Sequence, residues 1–192
     1  MARERLKKWH IRSHGEGKGM IYKLVGAGLI VGAAGWSGLS KANRLARRTA
    51  GLRRLRLALN YLEKEIGYAR NPLPQALQNT ARVIDGPEAE LFAASARVLA
   101  SSRNASAQEA WTSGMSELRR TGIFTGEDLA MIGMLGGRIG GSDAPDQVQV
   151  LELAAEELRV QEEKARETEN NEKNLWIYGG FLSGTLISIL LI

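Results

Sequence analysis

Cysteine is absent from the 192 residues, and histidine occurs only as His10 and His14. The first absence excludes disulfides, thiolate metal sites and cysteine nucleophiles. The second leaves everything beyond the first 19 residues without an imidazole for acid–base work. Proline is scarce, 4 residues against 22 glycines, as expected of long helices separated by glycine turns. No segment alternates apolar and polar residues with the period of a strand, so the chain reads as all-α. Catalytic patterns are missing too: there is no serine elbow, no phosphate loop with its lysine and no metal-ligand cluster. Glu63 and Glu65 stand two apart on a helical stretch, so their carboxylates diverge. "GAGLIVG" (Gly26–Gly32) imitates a dinucleotide fingerprint but leads into an arginine-rich helical stretch, with no second strand. The chain is expected to be no enzyme and to take no cofactor or metal.

What is present is concentrated at the ends. Leu175–Ile192, "LWIYGGFLSGTLISILLI", holds no charged residue, and Trp176 and Tyr178 stand at its charged flank. Amphipathic aromatics favour the headgroup level of a bilayer. Leu24–Ser40 is uncharged as well, though five glycines dilute it. Since about 20 apolar residues cross a bilayer, the expected organisation is a leader at 1–19, spans at 20–40 and 175–192, and a helical domain at 41–174. Met20 is the expected true start. Gly28 and Gly32 stand four apart, as do Gly180 and Gly184 with Ser188 next on the same stripe. Small residues at that interval let helices approach closely, so these five are the expected packing positions, within one chain or between copies in a homo-oligomer.

Residues 41–56 carry seven positive charges and no acidic residue. Short basic flanks stay on the cytoplasmic side, so the central domain is expected in the cytoplasm. Arg44, Arg47, Arg48, Arg53 and Arg54 are then topology signals that contact anionic lipid. No nucleic-acid partner is expected, because no aromatic platform accompanies the charge. The alternative is a membrane-tethered protein that binds nucleic acid or anionic lipid through Arg44–Arg56, with steep salt dependence.

Within the central domain Leu52, Leu55, Leu59, Leu62 and Ile66 form one helical stripe. Pro72 ends that helix, and a short one is expected from Pro74 to Ile84. Pro87 opens the next, which turns Leu91, Phe92, Ser95, Val98 and Leu99 inward. Ser106 with Glu109, and Thr125 with Asp128, mark two further helix starts. The last helix is expected from Asp146. Trp111, Met131 and Met134 read as core. The sum is a bundle of about six helices whose first and last members continue into the spans. Glu152–Lys173 holds eight glutamates against four basic residues, so the last helix should attract the arginine-rich first one.

Two stretches carry a resemblance. "LRRLRLALNYLEKEIGYARNPLPQAL" (Leu52–Leu77) and "LGGRIGGSDAPDQVQVLELAAEEL" (Leu135–Leu158) resemble the stage III sporulation protein AB family of endospore-forming bacteria. The matching positions are Glu63, Glu65, Ile66 and Tyr68; Pro72, Leu73, Pro74, Ala76 and Leu77; and Ser142, Asp143 and Gln147. Gly140-Gly141 departs from the family pattern, which has leucine before the glycine. The resemblance implies a helical domain similar to that of the type II secretion inner-membrane platform protein. It also implies a place in the mother-cell membrane around the forespore, within a secretion-like channel. The implied partners are the other channel proteins, including a secretion-type ATPase, stage III sporulation protein AA. The candidate partner-contact residues are Arg70, Asn71, Pro72 and Pro74 in one turn, and Ser142, Asp143 and Asp146 in the other.

Overall fold

The computed structural model describes residues 13–102, 104–140 and 143–191. Its helices are α1 (Ser13–Gly67), α2 (Leu73–Val83), α3 (Ala89–Ser101), α4 (Ala107–Arg120), α5 (Gly126–Gly133) and α6 (Ala144–Leu191), with a 3-10 turn at Met134–Gly137. No strand occurs among the described residues. The contacts divide the chain into two units. One is Arg44–Glu169, and the other is formed by the described parts of Met1–Asn43 and Asn170–Ile192.

The larger unit is built on the α1 stripe. Leu52, Leu55, Leu59, Leu62 and Ile66 are all buried, against Leu77, Leu91, Phe92, Leu118, Ile132, Leu151 and Leu158 from the other five helices. Each such side chain contributes about 1.5–3 kcal/mol. Trp111 meets Phe92 edge-on at 5.9 Å and donates its indole N–H to the Ile132 carbonyl at 2.9 Å. That bond satisfies the ring's one donor and ties α4 to α5. Both capping boxes form. The Ser106 hydroxyl accepts from the Glu109 N–H at 3.1 Å, and the Thr125 hydroxyl accepts from the Asp128 N–H at 3.2 Å.

Some expectations need correction. Pro87 lies in a turn and α3 begins at Ala89: the Ala89 and Glu90 N–H groups bond three residues back, to the Gly86 and Pro87 carbonyls, so the chain winds as a tight turn before it becomes α-helical. The last helix starts at Ala144, before Asp146. Met134 is 67% exposed and Met131 half-buried. Met131 packs against the core as its spacing implied, but α5 gives way to the 3-10 turn at Met134, and Leu135 is buried instead. The spans expected at 20–40 and 175–192 find no support: among the described residues no helix is long and apolar enough to cross a membrane. Glycines dilute the first stretch, and the second includes Ile192, outside the described residues. The leader expected at 1–19 also lies largely outside them.

The smaller unit is a helix pair joined at backbone distance. A side chain at Gly38 would strike the Trp176 carbonyl, and one at Gly180 would come within 2.7 Å of the Ala34 carbonyl. Lys41 Nζ sits 3.9 Å above the Trp176 ring, a cation–π contact. Gly180 is thus at the crossing and Gly184 is buried, while a Cβ placed at Gly28 or Gly32 would meet no other described atom within 4 Å. The side chain of Ser188 is outside the description. Ala34 and Gly38, also four apart, face Gly180 and Trp176 at this crossing.

Candidate functional site

The cluster Arg44–Arg56 divides between surface and structure. Arg44, Arg47 and Arg53 are exposed. Arg48 grips Asp128 with Nε and Nη2 at 2.8 and 2.9 Å, and Arg54 grips Glu88 likewise at 2.7 and 3.0 Å. The Asp128 and Glu88 side chains are fully buried. Arg56 meets Glu162 of α6 at 2.9 Å. Burial pushes the Asp128 carboxyl up, but hydrogen bonds from Arg48 and Thr125 outweigh it and hold the group below its ordinary value. The hydrogen bond to Asp128 in turn raises the Arg48 guanidinium against its own burial. Arg48 and Arg54 therefore fasten α1 to its neighbours, where the sequence placed them at a lipid surface.

The two family-like turns, some 70 residues apart in the chain by the numbering of Arg70 and Gly140, line one cavity of about 1380 Å³. The first turn is fixed by Glu65. Its carboxylate accepts from Asn71 Nδ2 at 2.8 Å and Asn79 Nδ2 at 2.6 Å, while its carbonyl accepts from the Asn71 N–H at 2.9 Å. The hydrogen bond from Asn79 holds the Glu65 carboxyl below its ordinary value against the burial that raises it, with help from Asn71 and Tyr61. Between these anchors Arg70 takes φ 52°, a left-handed conformation that costs an L residue about 1–2 kcal/mol. Pro72 then sets the first turn of α2. Arg70, Asn71, Pro72 and Pro74 all line the cavity, and Tyr68 stands at its edge 93% exposed.

The second turn is seated on glycines. A Cβ at Gly136 would lie 2.9 Å from the Trp111 side chain. Gly140 has φ 92°, and a Cβ there would lie 2.6 Å from Ala107 and 3.0 Å from Leu73. The departure from the family pattern is thus required by conformation and by space. Gly140→Ala is expected to destabilise the larger unit by about 1–2 kcal/mol through the left-handed φ alone, read from urea unfolding. Ala144, Pro145 and Gln147 line the cavity, while Asp143 and Asp146 are exposed and do not. Ser142 lies outside the described residues. The start of α4, at Ser106–Gln108, completes the wall. Its capping box was legible as a helix start and carried no signal of a site. Among the described residues no group of acidic or histidine side chains could hold a metal.

These geometries sit in a chain with clear relatives. A family model described as stage III sporulation protein AB matches residues 23–192. The stage III sporulation protein AB of Bacillus subtilis (strain 168) is 31% identical over 171 residues, which are 89% of this chain and 99% of that protein. A solved structure of stage III sporulation protein AB, 27% identical, aligns with a TM-score of 0.56 over 65% of this chain and 98% of its own. With the matching turns folded onto one cavity and the family model covering nearly the whole length, the chain belongs to the stage III sporulation protein AB family.

Proposed function

We propose that this protein is a non-enzymatic adaptor of the sporulation channel, held at a membrane by its terminal helices. It presents a rigid helical surface to a cytoplasmic secretion-type ATPase, stage III sporulation protein AA. The observation that carries the reading is the convergence of two separate turns on one cavity, with Tyr68 left standing in solvent beside it. Exposed tyrosine and arginine at the rim of an apolar recess are the residue types that anchor interfaces. Membrane attachment is supported by Val25, Leu29, Trp36, Leu182, Leu186 and Ile189, which are exposed on the paired helices and are costly to leave in water. The crossing at Gly38 and Gly180 suits close helix pairing in lipid. Exposed Arg44, Arg47 and Arg53 fit the anionic surface beside it.

The test is a pull-down from alkali-washed membranes of sporulating cells, with the detergent-solubilised protein as bait. The native chain should remain with the membranes and retain the ATPase. Tyr68→Ala should lose most of the ATPase without loss of membrane association, and so should Asp143→Lys. Both positions are exposed, so neither change disturbs the fold. Release by alkali would refute the membrane seat, and failure of the native chain to retain the ATPase would refute the adaptor role.

A further inference from the structure

Arg70 is the residue at this cavity that the fold itself does not explain. It is the non-glycine residue with positive φ among the described residues, in a conformation that glycine or asparagine adopts far more readily. Asparagine is in fact the next residue, yet Asn71 spends its backbone N–H and its amide on Glu65. Those bonds hold the arginine in place on its left-handed backbone.

Its charge has no partner among the described residues. Arg48, Arg54 and Arg56 each grasp a carboxylate, whereas Arg70 makes no ion pair or hydrogen bond among the described residues. Glu65, the acid nearest in the turn, is already engaged by Asn71 and Asn79. Glu63 lines the cavity too, yet does not pair with Arg70. A guanidinium is planar, always charged and suited to bidentate capture of a carboxylate. The recess beside it has apolar walls from Ile66, Leu73, Leu99, Ile139 and Val148. At about 1380 Å³ it exceeds the roughly 300–1,000 Å³ of small-molecule sites, which favours a stretch of polypeptide.

We infer that the cavity takes a peptide segment of a partner protein with an apolar anchor flanked by an Asp or Glu, whose carboxylate pairs with Arg70. This rests on the reading of the cavity as a docking face, and it specifies the chemistry of the partner. A conformation disfavoured for arginine is retained because the side chain it carries is the recognition element.

The experiment pans a random-peptide phage library on the detergent-solubilised full chain and on Arg70→Lys, Arg70→Gly and Arg70→Glu. The native chain should enrich an apolar residue flanked by Asp or Glu, and Arg70→Lys should keep that preference. Arg70→Gly should keep the apolar anchor, lose the acidic preference and weaken binding of a selected acidic peptide at least tenfold. Its Tm should be unchanged or higher, since glycine suits the backbone, so the loss cannot be misfolding. Arg70→Glu should favour Lys or Arg instead. A native consensus without an acid, an acidic preference that survives Arg70→Gly, or no enrichment at all would overturn the inference. An acidic consensus without retention of the ATPase would sink the proposed partner and leave this recognition standing. Retention of the ATPase with a charge-neutral consensus would do the reverse.

Discussion

Asp128→Ala is expected to lower the unfolding free energy of the protein by about 3–5 kcal/mol, the cost of breaking a buried ion pair from one side. The carboxylate is fully buried and accepts from Arg48 Nε at 2.8 Å, Arg48 Nη2 at 2.9 Å and the Thr125 N–H at 2.9 Å. Removing it leaves a guanidinium that is only 18% exposed without its partner and opens half of the capping box of α5. Urea unfolding measures the change. The double variant Asp128→Leu with Arg48→Met should recover much of the loss, because apolar replacement of both partners removes the unpaired charge. If the double variant is as unstable as the single one, the loss lies in the cap rather than in the pair. The pH dependence has a definite sign. The folded carboxyl lies below its ordinary value, so its contribution is complete above the unfolded pKa of about 3.9 and is lost as pH falls through the lower folded value. Asp128→Asn should therefore flatten the decline of stability on acidification below about pH 5. An unchanged acid limb would refute the assignment.

The arginine clasps also mark the boundary of what the sequence could reveal. The α1 stripe, the capping boxes and the burial of Trp111 follow from spacing, because helical periodicity and caps are local properties. The attraction between the first and last helices was legible as net charge, and one pair of it, Arg56–Glu162, forms. Arg48 and Arg54 instead chose Asp128 and Glu88. Asp128 was readable only as a helix-start marker, and Glu88 carried no signal, because neither partnership has a sequence spacing. The site divides in the same way. Pro72 and Asp143 marked two turns, but their convergence on one recess is a property of packing between α1, α4 and α6. Asp143 and Asp146, conspicuous in the sequence, lie beside that recess rather than in it. Among the small residues, Ala34 and Gly38 have the same interval as Gly28 and Gly32, and periodicity alone could not rank one pair above the other. The choice is made by where the partner helix crosses.

Gly114→Ala should destabilise the protein by about 2 kcal/mol, although alanine is the better helix former. A Cβ at Gly114 would strike the Leu91 carbonyl and Ser95 Oγ, and would stand 3.0 Å from Leu91 Cδ1. The carbonyl belongs to the α3 backbone and already accepts the Ser95 hydroxyl at 2.7 Å, so it cannot yield without parting α3 from α4. That separation would loosen the Phe92–Trp111 contact less than a turn away. Overpacking of this kind costs about 3 kcal/mol at the upper end of its usual range. The helix gains back roughly 0.5–1 kcal/mol from replacing glycine, so the steric term wins. Gly133→Ala is the control of opposite sign. It is helical, at φ −63°, and its Cβ would meet only Met115 Cε at an ordinary 3.8 Å. Propensity should then act alone and stabilise by about 0.5–1 kcal/mol. Urea unfolding of the two variants side by side decides the matter: if both move in the same direction, the α3–α4 crossing is not set by the missing side chain at Gly114.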